Sequence, residues 1–300
     1  MKLLSSSLGF LLFLFLLLAC SQEDPEPKPD LVPVNPVHQN YLENPSAYEM
    51  KWKDNFDELN QSNWTIGLKD SATGDMVPAQ GGQYLLNDNY AGYITEEDSY
   101  VLDGALYLSN QKRSYTGTNP AGNYDYTSGW VMSMHKLVFN GTDKGIYLEV
   151  RAKFPTGDKV WPAIWLIPES IKWPPEIDVW EYFGKFFEWG YDEMYMRYIH
   201  GHYTNPTHHD KKISNFDKNY KCEDWHTYGF QWSSEKMIWS IDGAIVHTLE
   251  KGSQVTEGDW PDEQMYVVMN NGVLTVVPDE NTTWPNHLII DYISLYNVKE

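Results

Sequence analysis

The property that most constrains the fold of this chain is a succession of short runs rich in Val, Ile, Tyr and Trp, with almost no helical periodicity. The clearest runs cover residues 104–108, 145–154, 225–232 and 288–296. Turn sequences separate these runs, and Asp242-Gly243 predicts a hairpin with a type I′ turn. No second linker or internal repeat interrupts the chain after residue 48. The sequence therefore predicts one all-β domain, an antiparallel sandwich, over residues 48–300.

Charge and aromatic content narrow the classes of function. With 22 Lys and Arg against 42 Asp and Glu, the formal charge is −20, so the chain repels polyanions and a nucleic-acid partner is excluded. The 13 Trp, 21 Tyr and 11 Phe residues fill β-sheet cores, and such rings also make flat surfaces on which ligands stack. The two cysteines exclude a disulfide framework and a thiolate metal cluster.

The N-terminus predicts export and lipid attachment. The apolar run Leu8–Ala19 is shorter than the about 20 residues that span a bilayer, and it suits a secretory signal. Its end, Leu17-Leu18-Ala19-Cys20, resembles the bacterial lipobox. Residues 1–19 are therefore predicted to be a signal peptide, and Cys20 is predicted to carry the lipid, palmitate included. The alternative is an ordinary secretory signal with an incidental cysteine.

Residues 20–47 are acidic and Pro-rich, which predicts a disordered tether. Ser21, with acids close behind it, resembles the outer-membrane and surface-exported lipoproteins of Gram-negative bacteria. We therefore expect a monomer whose lipid binds the outer membrane and holds the domain at the cell surface.

The most informative segment is a run of strong β-formers that carries three acids, Glu176, Asp178 and Glu181. Alternate side chains of a strand share a face, so Glu176 and Asp178 point the same way, whereas Glu181 lies an odd number of positions from Glu176. One β-bulge between Asp178 and Glu181 restores the parity and places all three acids on one face. The sequence therefore predicts a bulge there.

The spacing of the two glutamates then points to a reaction. With the extra residue absorbed, their Cα atoms are roughly 13 Å apart at about 3.3 Å per residue. Side chains that reach toward each other leave about 5 Å between the carboxyl groups, which is the spacing of retaining glycosidases. Clustered carboxylates also disfavour full ionisation, so we expect one shared proton and at least one raised pKa.

Two other interpretations of a strand with three acids are a solvated face and a cation site built from oxygen ligands. The sequence favours catalysis, because indoles seldom line a solvated acidic face and four of them crowd this region: Trp161, Trp165, Trp173 and Trp180.

The pattern Glu-x-Asp-x-x-Glu with its bulge resembles the catalytic motif of glycoside hydrolase family sixteen. Flanking segments agree in order along the chain, between about residue 50 and residue 297. They are residues 126–129, 149–153, 161–166, 226–228 with Trp232, Trp239 with Asp242-Gly243, and 290–292.

This resemblance implies a concanavalin-like jelly-roll sandwich with a concave substrate cleft, and endo-acting, retaining cleavage of a β-linked polysaccharide. It implies that Glu176 is the nucleophile, Glu181 the general acid and base, and Asp178 the residue that holds a proton beside Glu176. No cofactor for catalysis is implied. Many members bind a structural calcium ion on the convex side, and Asp291 is the candidate ligand here.

Candidate substrate-binding residues follow from the same resemblance and from position. The indoles of Trp161 and Trp165 suit stacking on sugar rings, with core positions as the alternative. His200 and His202 share a face if their strand is regular, and one of them is expected to bond substrate. A metal role would need a third ligand such as His208 or His209. The other candidates are Trp180, inside the bulge, and Asn270, for which a turn before Gly272 is the alternative.

Two departures affect the choice of substrate. Laminarin-type members carry Gly before the first catalytic Glu and Met before the last, where this chain has Pro175 and Trp180. The substrate is thus a β-1,3- or mixed-linkage glucan, or a red-algal galactan such as agarose, porphyran or carrageenan. Cationic side chains that could meet sulfate are Lys185, Arg197, Lys211 and Lys212, although the charge of −20 favours a neutral glycan. An inactive surface glycan-binding lipoprotein and a transglycosylase that uses the same residues are the alternative functions.

Overall fold

The computed structural model describes residues 45–67, 90–118, 121–142, 144–170, 172–182, 184, 199–204, 221–253, 260–275 and 277–299. Within these ranges the chain forms strands and two short 3-10 turns, Pro45–Ala47 and Glu96–Asp98. None of the described segments is a helix of the length and apolarity that crossing a membrane requires. Cys20 and the tether up to residue 44 lie outside the described residues.

Seventeen strands are described. They are β1 (Tyr48–Asp54), β2 (Thr65–Ile66), β3 (Gly92–Ile94), β4 (Ser99–Leu102), β5 (Ala105–Thr118), β6 (Ala121–Ser128), β7 (Trp130–Met132), β8 (Val138–Phe139), β9 (Ile146–Lys153), β10 (Ala163–Pro168), β11 (Glu176–Tyr182), β12 (Ile199–Thr204), β13 (His226–Trp232), β14 (Lys236–Ile241), β15 (Ala244–Glu250), β16 (Met265–Asn270) and β17 (Asn286–Val298).

The strands pair into two sheets. The larger sheet has ten strands in the order β15-β14-β13-β9-β17-β5-β6-β3, with β1 also on β17 and β4 also on β5. The smaller sheet has seven, in the order β12-β11-β10-β16-β7-β2, with β8 on β16. Most pairs are antiparallel, and β3 with β6 is a parallel exception. The predicted all-β sandwich is confirmed, and so are the four strands expected from the clearest runs.

The main core lies between the sheets, because each strand there turns alternate apolar side chains inward. Leu148 and Val150 of β9 and Phe230 of β13 are fully buried from the larger sheet, and Ile164 of β10 and Val267 of β16 are fully buried from the smaller one. A second cluster of buried apolar residues, which includes Trp130, Trp165 and Tyr266, lies on the opposite face of the smaller sheet.

The predicted type I′ hairpin is also confirmed. Asp242 and Gly243 have φ values of 48° and 79°, and they join β14 to β15, where Ile241 pairs with Ala244. Both central residues of a type I′ turn need positive φ, which Asp and Gly tolerate better than most residues.

Candidate active site

Strand β11 carries the three acids, and the predicted bulge is present in it. Against β12, Asp178 pairs with His202 and Glu181 pairs with His200, so that only Gly201 stands opposite the two residues between the acids. Against β10, the same irregularity brings Trp165 opposite Asp178 and Ala163 opposite Glu181. An extra residue on one strand is what defines a bulge, and it lets Asp178 and Glu181 share a face.

The face that carries Asp178 and Glu181 also carries most of the residues expected around them. Trp161 and Trp165 reach it from β10 and the segment before it, and His200 and His202 reach it from β12. The side chains of Trp161, Trp165 and His202 keep 8%, 6% and 8% of their surface exposed. Their contact with substrate stays a prediction.

Three donors surround the carboxylate of Glu181. The indole Nε1 of Trp161 donates to Oε2 at 3.0 Å, and Nε2 of His200 lies 2.9 Å from Oε1. Nδ1 of His202 lies 3.5 Å from the same Oε1. Because Glu181 is only 4% exposed, these contacts fix the position of its carboxyl group from both sides.

Asp178 faces His202 across the strand pair. Its Oδ2 lies 3.2 Å from Nδ1 of His202, but the two atoms are not aligned as a hydrogen bond. Both are buried, and neither has a hydrogen-bond partner among the described residues. The second ring nitrogen of His202 lies 3.0 Å from Oγ1 of Thr204. The histidine is thereby oriented by a hydroxyl group on one side and faces a carboxyl group on the other.

Burial and mutual repulsion disfavour the charged forms of two of the acids. Burial and the neighbouring charge of Glu181 raise the pKa of Glu176 to about 7, against the opposing effects of His202 and of a hydrogen bond from Trp173. Burial, followed by the charges of Glu181 and Glu176, raises the pKa of Asp178 well above its ordinary value. Burial thus favours the protonated form of Asp178, which agrees with the expectation of a raised pKa within the cluster.

Glu181 differs from its neighbours. Burial alone would raise its pKa, but the charge and hydrogen bonds of His200 and His202 outweigh burial and hold the pKa of Glu181 well below its usual range. A general acid needs a higher pKa than the nucleophile, whereas the pKa of Glu181 lies below that of Glu176. The low pKa of Glu181 depends on the positive charge and the hydrogen bonds that the two imidazoles supply.

Two fully buried polar side chains, those of Asn270 and His200, bond residues on the face that carries Asp178 and Glu181. Asn270 of β16 is fully buried, accepts a hydrogen bond from Nε1 of Trp165 at 2.8 Å and donates to the hydroxyl of Tyr90 at 3.4 Å. His200 is also fully buried. Direct contact of Asn270 and His200 with sugar, as predicted, therefore does not agree with the structure. Both act through neighbours, Asn270 through Trp165 and His200 through Glu181.

Sequence reasoning missed Tyr90. Its ring stacks on Trp161 with centroids 4.7 Å apart, and its hydroxyl accepts a hydrogen bond from Asn270 at 3.4 Å. Burial, followed by the charge of Glu181, raises the pKa of this hydroxyl well above its ordinary value. No local signal marks Tyr90, because the residues that it contacts are distant in sequence. The sequence marks Trp173 as one of four indoles near the acids but does not predict its contact with Glu176. It is 51% exposed, and its Nε1 donates to Oε2 of Glu176 at 3.1 Å.

The prediction that Trp180 borders the cleft is wrong. Its side chain is fully buried in the main core, with its ring 5.6 Å from that of Tyr228, and its Nε1 has no hydrogen-bond partner in the part of the chain that the structure describes. Val179 belongs to the same core cluster. A bulge turns two consecutive side chains to one side, so Val179 and Trp180 both point away from the acids.

The expected calcium ligand has a different partner. The carboxylate of Asp291 accepts a hydrogen bond from Nη1 of Arg151 at 2.8 Å, and a guanidinium there already neutralises it. The donor set around Asp291 does not fit a cation. Within the described ranges, one group has the donor atoms for a metal ion: Asp178, Glu181 and His202, whose atoms lie within 4.8 Å of one another. The contacts of His202 with Asp178 and Glu181 that are described above account for that closeness. Lys185, Arg197, His208, His209, Lys211 and Lys212 lie outside the described residues.

Fold and site together define a β-sandwich protein whose bulged strand presents three acids among indoles and imidazoles. Residues 87–293 match the model of the glycosyl hydrolases family 16, which is more than half of the chain. The protein belongs to that family.

Individual relatives are distant. An endo-1,3-1,4-β-glycanase of Rhizobium meliloti is 26% identical over 84% of this chain and 52% of its own length. A β-glucanase of Rhodothermus marinus is 25% identical over 83% of this chain and 85% of its own length. The solved catalytic domain of an endo-1,3-β-glucanase (laminarinase) from Thermotoga petrophila is 26% identical, with a TM-score of 0.67, over 84% of this chain and 99% of that one. The chain thus spans about half the length of the Rhizobium relative.

Proposed function

We propose that the protein is an endo-acting, retaining glycoside hydrolase that cleaves internal β-linkages of a β-1,3- or mixed-linkage glucan. The observation that carries this proposal is the bulge in β11, which aligns Asp178 and Glu181 on one face of the strand within a member of family 16. Retaining glycosidases need two carboxyl groups close enough to act on one glycosidic bond.

In the proposed first step, a carboxylate oxygen of Glu176 attacks the anomeric carbon while Glu181 gives its proton to the departing glycosidic oxygen. In the second step, ionised Glu181 takes a proton from a water molecule, and that water attacks the anomeric carbon and releases Glu176. Burial favours the neutral form of Asp178, and in that form Asp178 does not repel an ionised Glu176. The side chains of Trp161 and His200 hold Glu181 in place through both steps.

In the first step Glu181 must carry a proton, which its contacts with the imidazoles disfavour in the free site. When a sugar covers the site, Glu181 loses further solvation, and burial of this kind raises the pKa of a carboxyl group. Bound substrate therefore favours the protonated form that Glu181 needs as the general acid. The environment of Glu176 works in the complementary direction, because its pKa of about 7 leaves a substantial fraction ionised at neutral pH.

A neutral β-glucan is the substrate class that the charges support best. The described residues that surround the acids are aromatic rings, imidazoles and amides, and the molecule carries a formal charge of −20. The Rhodothermus relative is named as a β-glucanase, and the Rhizobium relative as an endo-1,3-1,4-β-glycanase. The exposed ring of Trp173 beside Glu176 offers a flat apolar surface to a sugar.

The assigned roles are tested with Glu176→Ala and Glu181→Ala on an activated aryl β-laminaribioside, with and without sodium azide. We expect each variant to lose at least about a thousandfold in kcat, because a group that reacts in the transition state is gone. Azide should restore turnover with products of opposite configuration: the α-glycosyl azide from Glu176→Ala and the β-glycosyl azide from Glu181→Ala. Proton NMR identifies the products.

The matched control is Glu149→Gln, which removes a buried carboxylate of the larger sheet that bonds Tyr147 and Tyr292. Its kcat should stay within about twofold of wild type. Laminarin, lichenan, agarose, porphyran and carrageenan, assayed for new reducing ends, determine the glycan. Equal activity of wild type and Glu176→Ala would remove Glu176 from its role, and a protein that binds glucan without cleaving it would be a binding protein.

We also propose that Cys20 is lipidated and anchors the protein to the bacterial outer membrane, with the domain at the cell surface. The support is the lipobox-like sequence that ends at Cys20 and the acidic, Pro-rich segment that follows it. Surface display would bring the hydrolase to polysaccharides that are too large to enter the cell. The anchored protein is expected to act as a monomer.

A further inference from the structure

The bulge in β11 determines where Glu181 lies relative to Asp178, yet a bulge interrupts the hydrogen bonds of the sheet at the place where position matters most. Something outside the ladder must hold the strand in this shape. The described contacts of the bulge include one that comes from the opposite sheet. It is made by Trp239 of β14.

The indole of Trp239 crosses the core and donates its Nε1 to the backbone carbonyl oxygen of Asp178 at 3.0 Å. Trp239 is 1% exposed, and its ring is packed against that of Phe230, with centroids 5.0 Å apart. The bond is therefore shielded from water, and the rigid ring leaves the donor little freedom to move. Asp178 is the residue at which the register of β11 begins to shift.

Gly201 of β12 provides the space that this indole needs. It stands opposite the two bulged residues, and a Cβ atom added to it would lie 2.2 Å from Cδ1 and 2.3 Å from Nε1 of Trp239. Both distances are far shorter than real contacts of a Cβ atom. Any other residue at this position would push the indole away from the carbonyl group of Asp178.

We infer that Trp239 and Gly201 form a brace that sets the bulge and thereby positions Glu181 against Glu176, so that Trp239 is a positioning residue for the chemical step. This inference rests on the proposed function for its kinetic consequence, but its structural part does not. Since the brace lies on the core side of β11, its loss should shift Glu181 relative to Glu176 and leave the indoles of Trp161 and Trp165 in place. The effect should therefore fall on kcat and not on KM.

The first test is Trp239→Phe, which keeps an aromatic ring and removes the donor. Its matched control is Trp232→Phe, because Trp232 is a fully buried indole of the same core whose Nε1 has no hydrogen-bond partner. On laminarin or lichenan we expect Trp239→Phe to lose about tenfold to a hundredfold in kcat, with KM within about twofold. The reason is that a small misplacement of a reacting group lowers the rate of the chemical step. Trp232→Phe should keep kcat within about threefold at a similar melting temperature.

The second test combines Gly201→Ala with Trp239→Phe. If both act through the bond to Asp178, the double variant should be no slower than the slower single variant, whereas independent effects would multiply. The inference would be overturned if the two losses in kcat multiplied in the double variant, or if Trp239→Phe and Trp232→Phe had equal kcat.

Hydrogen–deuterium exchange of a peptide covering residues 176–182 separates this inference from the proposed function. Trp239→Phe should speed exchange in this peptide at least about tenfold over Trp232→Phe, whether or not the protein cleaves a glucan. Unchanged exchange would mean that the bulge keeps its shape without Trp239, and the brace would be wrong even in an active enzyme. A wild type that cleaves no glucan, with faster exchange in Trp239→Phe, would refute the proposed function alone.

Discussion

Glu176 and Glu181 are chemically identical side chains on one strand, and their surroundings give them opposite tendencies. Glu176 is partly exposed and receives a hydrogen bond from Trp173, but burial and the charge of Glu181 raise its pKa to about 7. The carboxylate of Glu181 contacts Nε1 of Trp161 and Nε2 of His200, and both contacts favour its ionised form. Pairs of acids with diverging pKa values are typical of acid–base catalysis.

This difference predicts opposite effects on stability. The folded pKa of Glu176 lies above its unfolded value, so its contribution to the free energy of unfolding falls as pH rises from about 4.5 to 7. Glu176→Gln removes that penalty, and its stability relative to wild type should increase by about 2 kcal/mol between pH 5 and pH 8. Urea unfolding at both pH values measures this.

Glu181→Gln is the matched comparison. The pKa of Glu181 is held below its usual range, so its ionised form stabilises the fold above about pH 4.5. The variant should be less stable than wild type at pH 7 by about 1–3 kcal/mol, because His200 and Trp161 lose a charged acceptor in a buried site. If both variants shifted stability in the same direction at pH 8, the electrostatic contrast would be refuted.

At the scale of elements, the bulge in β11 determines which of its side chains belong to the candidate active site. Parity alone was enough to predict it, since three acids can share a face of this strand in no simpler way. The same parity also determines the direction in which the side chain of Trp180 points. Two residues stand opposite Gly201, so both turn toward the core, and a prediction that used the bulge for the acids and ignored it for Trp180 was wrong.

A substitution in this strand tests the direction of Trp180. Trp180→Phe removes part of a fully buried ring whose Nε1 bonds nothing, so it should cost about 1–3 kcal/mol of stability and leave KM for lichenan within about twofold. Trp161→Phe, which removes a donor to Glu181, should instead lower kcat. Thermal unfolding and initial rates give both values. A severalfold increase of KM in Trp180→Phe would return that residue to the cleft.

The strands, the hairpin at Asp242-Gly243 and the acid-bearing strand could be predicted from local patterns, because each is encoded in neighbouring residues. Contacts between distant parts of the chain could not. Tyr90 on Trp161 and Trp239 under Asp178 come from segments far apart in sequence, and the sandwich alone brings them together. Sequence position also could not show that Asn270 is fully buried and bonds the indole of Trp165.

At the scale of the whole molecule, the two cysteines differ in environment. Cys222 is 5% exposed and burial raises the pKa of its thiol, which makes it unreactive. Cys20 ends the apolar leader. We expect Cys20→Ser to move the protein from the membrane pellet to the soluble fraction of the producing cell, and Cys222→Ser to leave it in the pellet.

Ultracentrifugation of lysed cells with immunoblotting measures this distribution, and mass spectrometry of the N-terminal peptide detects the acyl chains. A Cys20→Ser protein that stays with the membranes, or a wild type without acyl chains, would refute the lipid anchor. Neither result would affect the assignment of the acids, because the tether and the catalytic strand are separate parts of the chain.

The position of β17 has a consequence for how the protein is made. This strand, Asn286–Val298, lies between β9 and β5 and also pairs with β1, so the larger sheet is joined across its middle by the last of the described strands in chain order. Until residues 286–298 have left the ribosome, β9 and β5 have no described strand to join them. The nascent chain therefore cannot complete the larger sheet before those residues have been synthesised.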